Sequence, residues 1–192
     1  MNGLRSIAHG PVPGPLHRIA GNLALDFANT ISWRGTDHEV DHLRDADGIL
    51  AWAKHAGLVG VDFSLPTRQR ALLVDQGRSL RTAIDEVGAA IAAGAEPAAQ
   101  GLAVIHDLAA RTFMAASLTG APARIAFTHA DQIIGPLAWA AVDLLRGDEL
   151  GRLKRCPQHD CHWLFIDRTK NRSRRWCEMA TCGNRAKTRS RR

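Results

Sequence analysis

Cys156-Pro157-Gln158-His159-Asp160-Cys161 and, after a long connection, Cys177-Glu178-Met179-Ala180-Thr181-Cys182-Gly183-Asn184-Arg185 decide how this chain of 192 residues is read. The spacing is Cys156-x4-Cys161-x15-Cys177-x4-Cys182. Two short pairs joined by a longer segment are the usual way a chain wraps one structural Zn²⁺, whose tetrahedral preference four thiolates satisfy. Four thiolates leave no open position for substrate, so the predicted zinc is structural and not catalytic. His159 and His162 flank Cys161, so a set of three cysteines and one histidine is the alternative. Trp163 to Asp167 reads as a strand, Arg168 to Ser173 as a polar turn, and Arg174 to Met179 as helix-like, with Cys177 on its first turns. Positions five apart on a helix differ by about 140°. Cys177 and Cys182 therefore cannot share a regular helical face, and Gly183 is expected to break or cap the helix. Strand, knuckle and helix make a small treble-clef-like finger with Trp163 and Trp176 in its core.

Charge divides along the same line. The chain carries 25 Lys+Arg against 19 Asp+Glu, a formal net charge of +6. Gly151 to Arg192 holds 13 of the basic residues and three acids, a net of +10, and the rest of the chain is −4. Four thiolates and one zinc ion would bring the finger to about +8. An acidic body followed by a basic, cysteine-bearing tail points to neutralisation of phosphate backbones. The longest apolar run, Leu137 to Val142, has six residues, and a membrane span needs roughly 20. The first residues, with Pro11, Pro13 and Pro15, lack the apolar stretch of a secretory signal. A cytoplasmic location is expected, where thiols stay reduced and metal binding is the better default for cysteine.

The body reads as mainly α. Gly21 to Ile31 suits a short helix, and Asp45 or Asp47 caps another through Lys54, with Gly57 closing it. Ser64 and Pro66 open a third, whose stripe is Leu72, Leu73, Leu80, Ile84, Val87 and Ile91. Glu96-Pro97 opens a fourth, with Leu102, Ile105, Leu108, Ala109 and Phe113 as its apolar face. A short strand or hairpin falls within Gly120 to Thr128, and helical spacing returns from Asp131 to Arg146. The expected division is a flexible arm over 1–15, a helical domain with a short β element over 16–147, and the finger with its basic tail over 148–192.

The C-terminal run from Cys156 to Arg185, ending in Cys182-Gly183-Asn184-Arg185, resembles the CGNR zinc finger. Upstream, Gly21-Asn22-Leu23-Ala24-Leu25-Asp26-Phe27-Ala28-Asn29-Thr30, then Trp33-Arg34, Leu50-Ala51-Trp52 and Gly57-Leu58, resemble the ABATE domain of bacterial proteins described as stress-induced transcription regulators. Glu178 stands where serine is more usual in the finger, a change that leaves the ligands alone. The resemblance implies zinc on Cys156, Cys161, Cys177 and Cys182, a nucleic-acid-binding role and a bacterial setting.

Arg172, Arg174, Arg175, Asn184, Arg185, Lys187 and Arg189 are the candidate nucleic-acid residues. Arg174, Asn184 and Arg185 are assigned to base or groove contact, because Arg and Asn make bidentate contacts to G and A. The competing role for Arg175 and Asn184 is support of the zinc site. Asp26, Asn29, Trp33 and Arg34 form a polar cluster that at helical spacing would line a ligand pocket. Otherwise Asp26 and Asn29 satisfy buried backbone groups, and Arg34 pairs with Asp26. His38 and His42, four apart, lack a third metal ligand and read as a solvated helix face. The expected function is zinc-dependent DNA binding in transcription regulation, with a small-molecule effector or protein partner acting on the body; Trp139 and the Ile134/Leu137/Ala141 stripe read as core, with a homodimer surface as the alternative. RNA binding and a protein-interaction finger are the rivals. No Ser/His/Asp arrangement or phosphate loop argues for an enzyme.

Overall fold

A computed structural model describes residues 18–189. The arm assigned to residues 1–15 lies outside them, as do Arg191 and Arg192. Among the described residues six α-helices carry the fold: α1 (Leu23–Ala28), α2 (Ala46–His55), α3 (Thr67–Ala92), α4 (Ala99–Met114), α5 (Ile134–Arg146) and α6 (Asn184–Arg189). Three antiparallel strand pairs accompany them: β1 (Ile31–Ser32) with β2 (Val40–Asp41), β3 (Ser117–Thr119) with β4 (Arg124–Ala126), and β5 (Leu153–Arg155) with β6 (Leu164–Ile166). The mainly helical body with a small β element and a C-terminal treble-clef-like finger is as the sequence led us to expect. Among the described residues no helix is long and apolar enough to cross a membrane.

Local chemistry accounts for the helix ends. Asn22 accepts from the Ala24 N–H and caps α1, and Asp45 accepts from Gly48 and caps α2. Gly57, at φ +74°, takes the left-handed turn beyond α2. The 26-residue α3 is the spine, with α1, α2, α4, α5 and β5 packed on it. Its first helical residue is Thr67, preceded by Pro66; Ser64 is no cap, and its carbonyl instead accepts from His129 Nε2. Leu73, Leu80, Ile84 and Val87 are buried as the stripe requires, whereas Leu72 is exposed because it falls outside the face that α1 and α2 cover. Leu102 and Phe113 of the α4 stripe are also exposed, since α5 covers only part of that face. Ile134, Leu137 and Ala141 are buried, so they are core, whereas Trp139 is half-buried and packs on Phe113. His38 and His42 lie on no helix: His38 sits in a turn, and His42 follows β2 and meets Ser32 Oγ at 3.1 Å.

One core runs through body and finger. Leu153, Leu164 and Ile166 of β5 and β6 belong to the same buried cluster as Phe27, Leu80 and Leu137. Close approach of β6 to α3 requires glycine at position 88, where a Cβ would stand 2.5 Å from Leu164 Cδ1. Leu164 is fully buried and cannot simply swing away. Gly88→Ala is expected to cost about 1–3 kcal/mol by overpacking, measurable in urea denaturation with an unchanged m-value.

Candidate metal centre

The β5–β6 hairpin supplies the first ligand pair. The Cys156 N–H donates to the Trp163 carbonyl (2.8 Å), continuing the ladder past Arg155, and the Cys161 N–H closes the knuckle on the Gln158 carbonyl (3.1 Å). The second pair comes from Cys177, in a bend followed by extended Glu178, and a single wide helical turn, Met179–Gly183, in which the Gly183 N–H reaches back to the Glu178 carbonyl (3.1 Å). This corrects two expectations. Cys177 precedes the helix and does not ride on its first turns, and Gly183 continues the helical path into α6. A Cβ at position 183 would lie 2.3 Å from Met179 Sδ, so a side chain there would oblige the half-exposed Met179 thioether to move. The wide turn brings Cys182 round to face Cys177, which a regular helix would not do.

All four sulfurs are buried and lie within 4.8 Å of one another. Cys161–Cys177 and Cys177–Cys182 are 3.6 and 3.5 Å apart. Four thiolates at a Zn–S length of 2.3 Å form a tetrahedron with edges of about 3.8 Å, so the donor set fits zinc. His159 and His162 are not among the clustered donors. Hydrogen bonds from Cys161 and Cys177 hold the Cys156 thiol far below its ordinary value, and the same bonds push Cys161 and Cys177 up. Sulfurs this close cannot all ionise without a cation among them.

Asp167 organises the connection between the two ligand pairs. Its fully buried carboxylate accepts from Lys154 Nζ (2.6 Å), Thr169 Oγ1 (2.6 Å), and the N–H groups of Thr169 (3.0 Å) and Arg174 (2.9 Å). Lys154 Nζ also donates to the carbonyls of Arg172 (2.5 Å) and Arg174 (3.1 Å). Burial pushes the Asp167 carboxyl up, but its bonds to Lys154 and Thr169 prevail and hold it well below the usual carboxylate range. A depressed pKa stabilises the fold above the unfolded carboxyl value, near pH 4, and this contribution fades as pH falls through the folded value. The stability gap between the parent chain and Asp167→Asn should therefore be constant above about pH 5 and shrink below about pH 4. A gap that widened on acidification would contradict this assignment.

Residues 21–148 match the model of the ABATE family, described as "Putative stress-induced transcription regulator", and residues 152–192 match that of the CGNR zinc finger. The chain belongs to the ABATE family. It carries a CGNR zinc finger, and zinc is the metal of its four cysteines. No curated protein matches the chain. Neither matched family is an enzyme family.

Within this ABATE-family fold the seven candidate nucleic-acid residues separate into two groups. Arg174 and Arg185 turn inward. The Arg174 guanidinium stacks on Phe165 (4.4 Å) and donates to the carbonyls of Trp176 (3.1 Å), Ile19 (3.1 Å) and Cys177. Arg185 donates to Cys182 Sγ (3.3 Å) and Asp160 Oδ1 (3.1 Å), and stacks on the Trp33 ring (4.5 Å). Support of the metal site, the competing role that the sequence leaves open for Arg175 and Asn184, is taken by Arg174 and Arg185 and shared by Asn184, which bonds the backbone of the wide turn, whereas Arg175 stacks on the Trp176 ring (5.4 Å). Arg172, Arg175, Asn184, Lys187 and Arg189 are exposed. Arg189 leans on the knuckle through Gln158 Oε1 (3.2 Å) and His159 Nδ1 (2.9 Å), while Asn184 closes on the Ala180 carbonyl (3.0 Å). Sequence reasoning missed Gln158, whose buried amide donates to the Cys182 carbonyl (2.7 Å) and ties the knuckle to the helix. It also missed Lys154, Asp160 and Asp167; the acids were visible as two of only three in a basic segment.

The polar cluster of the body does not form one face. Helix α1 ends at Ala28, so Asn29 and Trp33 leave the helical line from Asp26. Asp26 accepts from the Ala20 N–H (2.9 Å) and approaches Arg18 (3.8 Å). Asn29 holds β6, with Nδ2 donating to the Leu164 carbonyl and Oδ1 accepting from the Leu164 N–H, both at 2.8 Å. Arg34 pairs with Asp85 (2.8 Å) and not with Asp26, because the chain turns at Trp33 and carries Arg34 to α3. Asp26 and Asn29 thus satisfy buried backbone groups.

Proposed function

We propose that this chain is a zinc-dependent, DNA-binding regulator of transcription in the bacterial cytoplasm, with a body over 16–147 that responds to a small ligand and a finger over 148–192 that meets the phosphate backbone. The observation that carries this reading is the exposed basic surface of the finger. Arg172, Arg175 and Lys187 are exposed around a centre that Arg174 and Arg185 brace from within, and Arg189, also exposed, rests against the knuckle beside them. Bound zinc crosslinks the knuckle to the wide turn, so the loop from Lys170 to Arg175 and helix α6 are presented as one rigid surface. Asn184 and Lys187 lie three apart on α6, on the face away from Arg185 and Arg189, which contact the knuckle. Backbone contacts from these cations would supply affinity, and Asn184 is the candidate for reading a base edge.

Fluorescence anisotropy against duplex DNA, structured RNA and single strands at fixed salt tests the reading. Duplex DNA should bind with a steep salt dependence. Replacing Arg172, Arg175, Lys187 and Arg189 by glutamine should flatten the slope of log affinity against log salt by about 3 to 4. Preference for RNA would reassign the finger to RNA. Absence of any binding at low salt would make it a protein-interaction module.

A further inference from the structure

The α4 and α5 helices do not close on each other along their whole length. Leu102, Ile105 and Phe113 of α4 and Trp139, Val142 and Leu145 of α5 line a groove of about 430 Å³. Phe113 and Trp139 meet at its mouth with ring centroids 5.1 Å apart and planes inclined at 41°, and Phe113 remains 42% exposed. Ile105, 2% exposed, forms the floor. Two polar side chains border the groove, His106 and Arg146. His106 is engaged by the Asp107 carboxylate at 2.9 Å. Arg146, exposed in the last turn of α5, makes no ion pair among the described residues.

We infer that this groove binds a small, flat, apolar molecule carrying a single carboxylate, its ring system laid against Phe113 and Trp139 and its anion on Arg146. The volume falls in the range of small-molecule sites, which are concave, largely apolar and oriented by a few polar groups. Aromatic walls suit a planar body. An arginine without an acidic partner at the edge of an apolar groove favours a carboxylate, which its planar fork matches with two hydrogen bonds. The site lies on the ABATE body and rests on the regulator reading only for its purpose, since binding is measured without nucleic acid.

Isothermal titration of the full chain with 1-naphthoate and with the neutral isostere 1-naphthamide tests the inference. The parent should bind one naphthoate, about five- to tenfold more tightly than naphthamide. Arg146→Gln should bring the two ligands to equal affinity. Ala110→Phe, at a half-buried position lining the groove, should abolish binding of both while circular dichroism stays unchanged. Absence of heat at about 1 mM naphthoate, or equal affinity of the parent for both ligands, would overturn it. So would a dimer in sedimentation that Phe113→Ser dissociates, because a second copy would then occupy the groove. Failure of DNA binding would leave these outcomes unaffected.

Discussion

Removing zinc is expected to loosen the helical body as well as the finger. Stripping the metal with a chelator, or replacing Cys177 by serine, leaves the buried sulfur cluster without the cation that lets its members ionise together. Structural zinc contributes an apparent 10 kcal/mol or more in small fingers at neutral pH, about as much as the whole stability of an ordinary domain. Here the loss cannot stay local. Leu153, Leu164 and Ile166 are part of the core that holds Phe27 and Leu80, the Ile166 N–H donates to the Ala20 carbonyl (2.8 Å), and Trp163 Nε1 donates to the Ile31 carbonyl (2.8 Å). Hydrogen exchange should show α1 and the strands β5 and β6 losing protection together, and the apparent melting temperature of the whole chain should fall. Unchanged protection of α1 in the metal-free protein would sink the shared-core account.

Asn29→Ala should be among the most damaging single changes in the body. The Asn29 amide answers both backbone groups of Leu164, and both residues are buried. Alanine would leave an N–H and a carbonyl unpaired where water cannot reach, at about 1–3 kcal/mol for each group, or about 2–6 kcal/mol together. Asn29→Asp should not rescue the loss, since a carboxylate cannot donate to the carbonyl and would itself be desolvated. Urea denaturation measures both variants. A loss below about 0.5 kcal/mol for Asn29→Ala, the size of an ordinary surface change, would show that the pair does not seat β6 on α1.

Local features of this chain were legible because their causes are local. Asp45 caps α2 through a contact three residues away, and the α3 stripe buries Leu73, Leu80, Ile84 and Val87 by helical spacing alone. The same reasoning misplaced Leu72, Leu102 and Phe113, because periodicity says which residues share a face and not how much of that face a neighbour covers. Leu102 and Phe113 are uncovered in the very groove where the ligand is inferred. For Asn29 the sequence supports both a pocket residue and a partner for buried backbone, but it cannot name that partner, because Leu164 lies 135 residues away.

By itself, the amino-acid sequence determined zinc as the metal and the four cysteines as its leading ligand set, the helical body and the concentration of positive charge in the finger; the cluster of four sulfurs then set His159 and His162 aside. Each follows from residue type and short spacing: thiolates select zinc, periodicity selects helix, and charge adds by counting. Only the tertiary structure decided which arginines brace the metal centre and which face solvent. A guanidinium binds a carbonyl, a carboxylate or a sulfur inside the fold as readily as a phosphate outside it, so its role depends on the partners that folding brings within reach. For Arg174 and Arg185 those partners are Ile19, Asp160, Cys182 and the Trp33 ring.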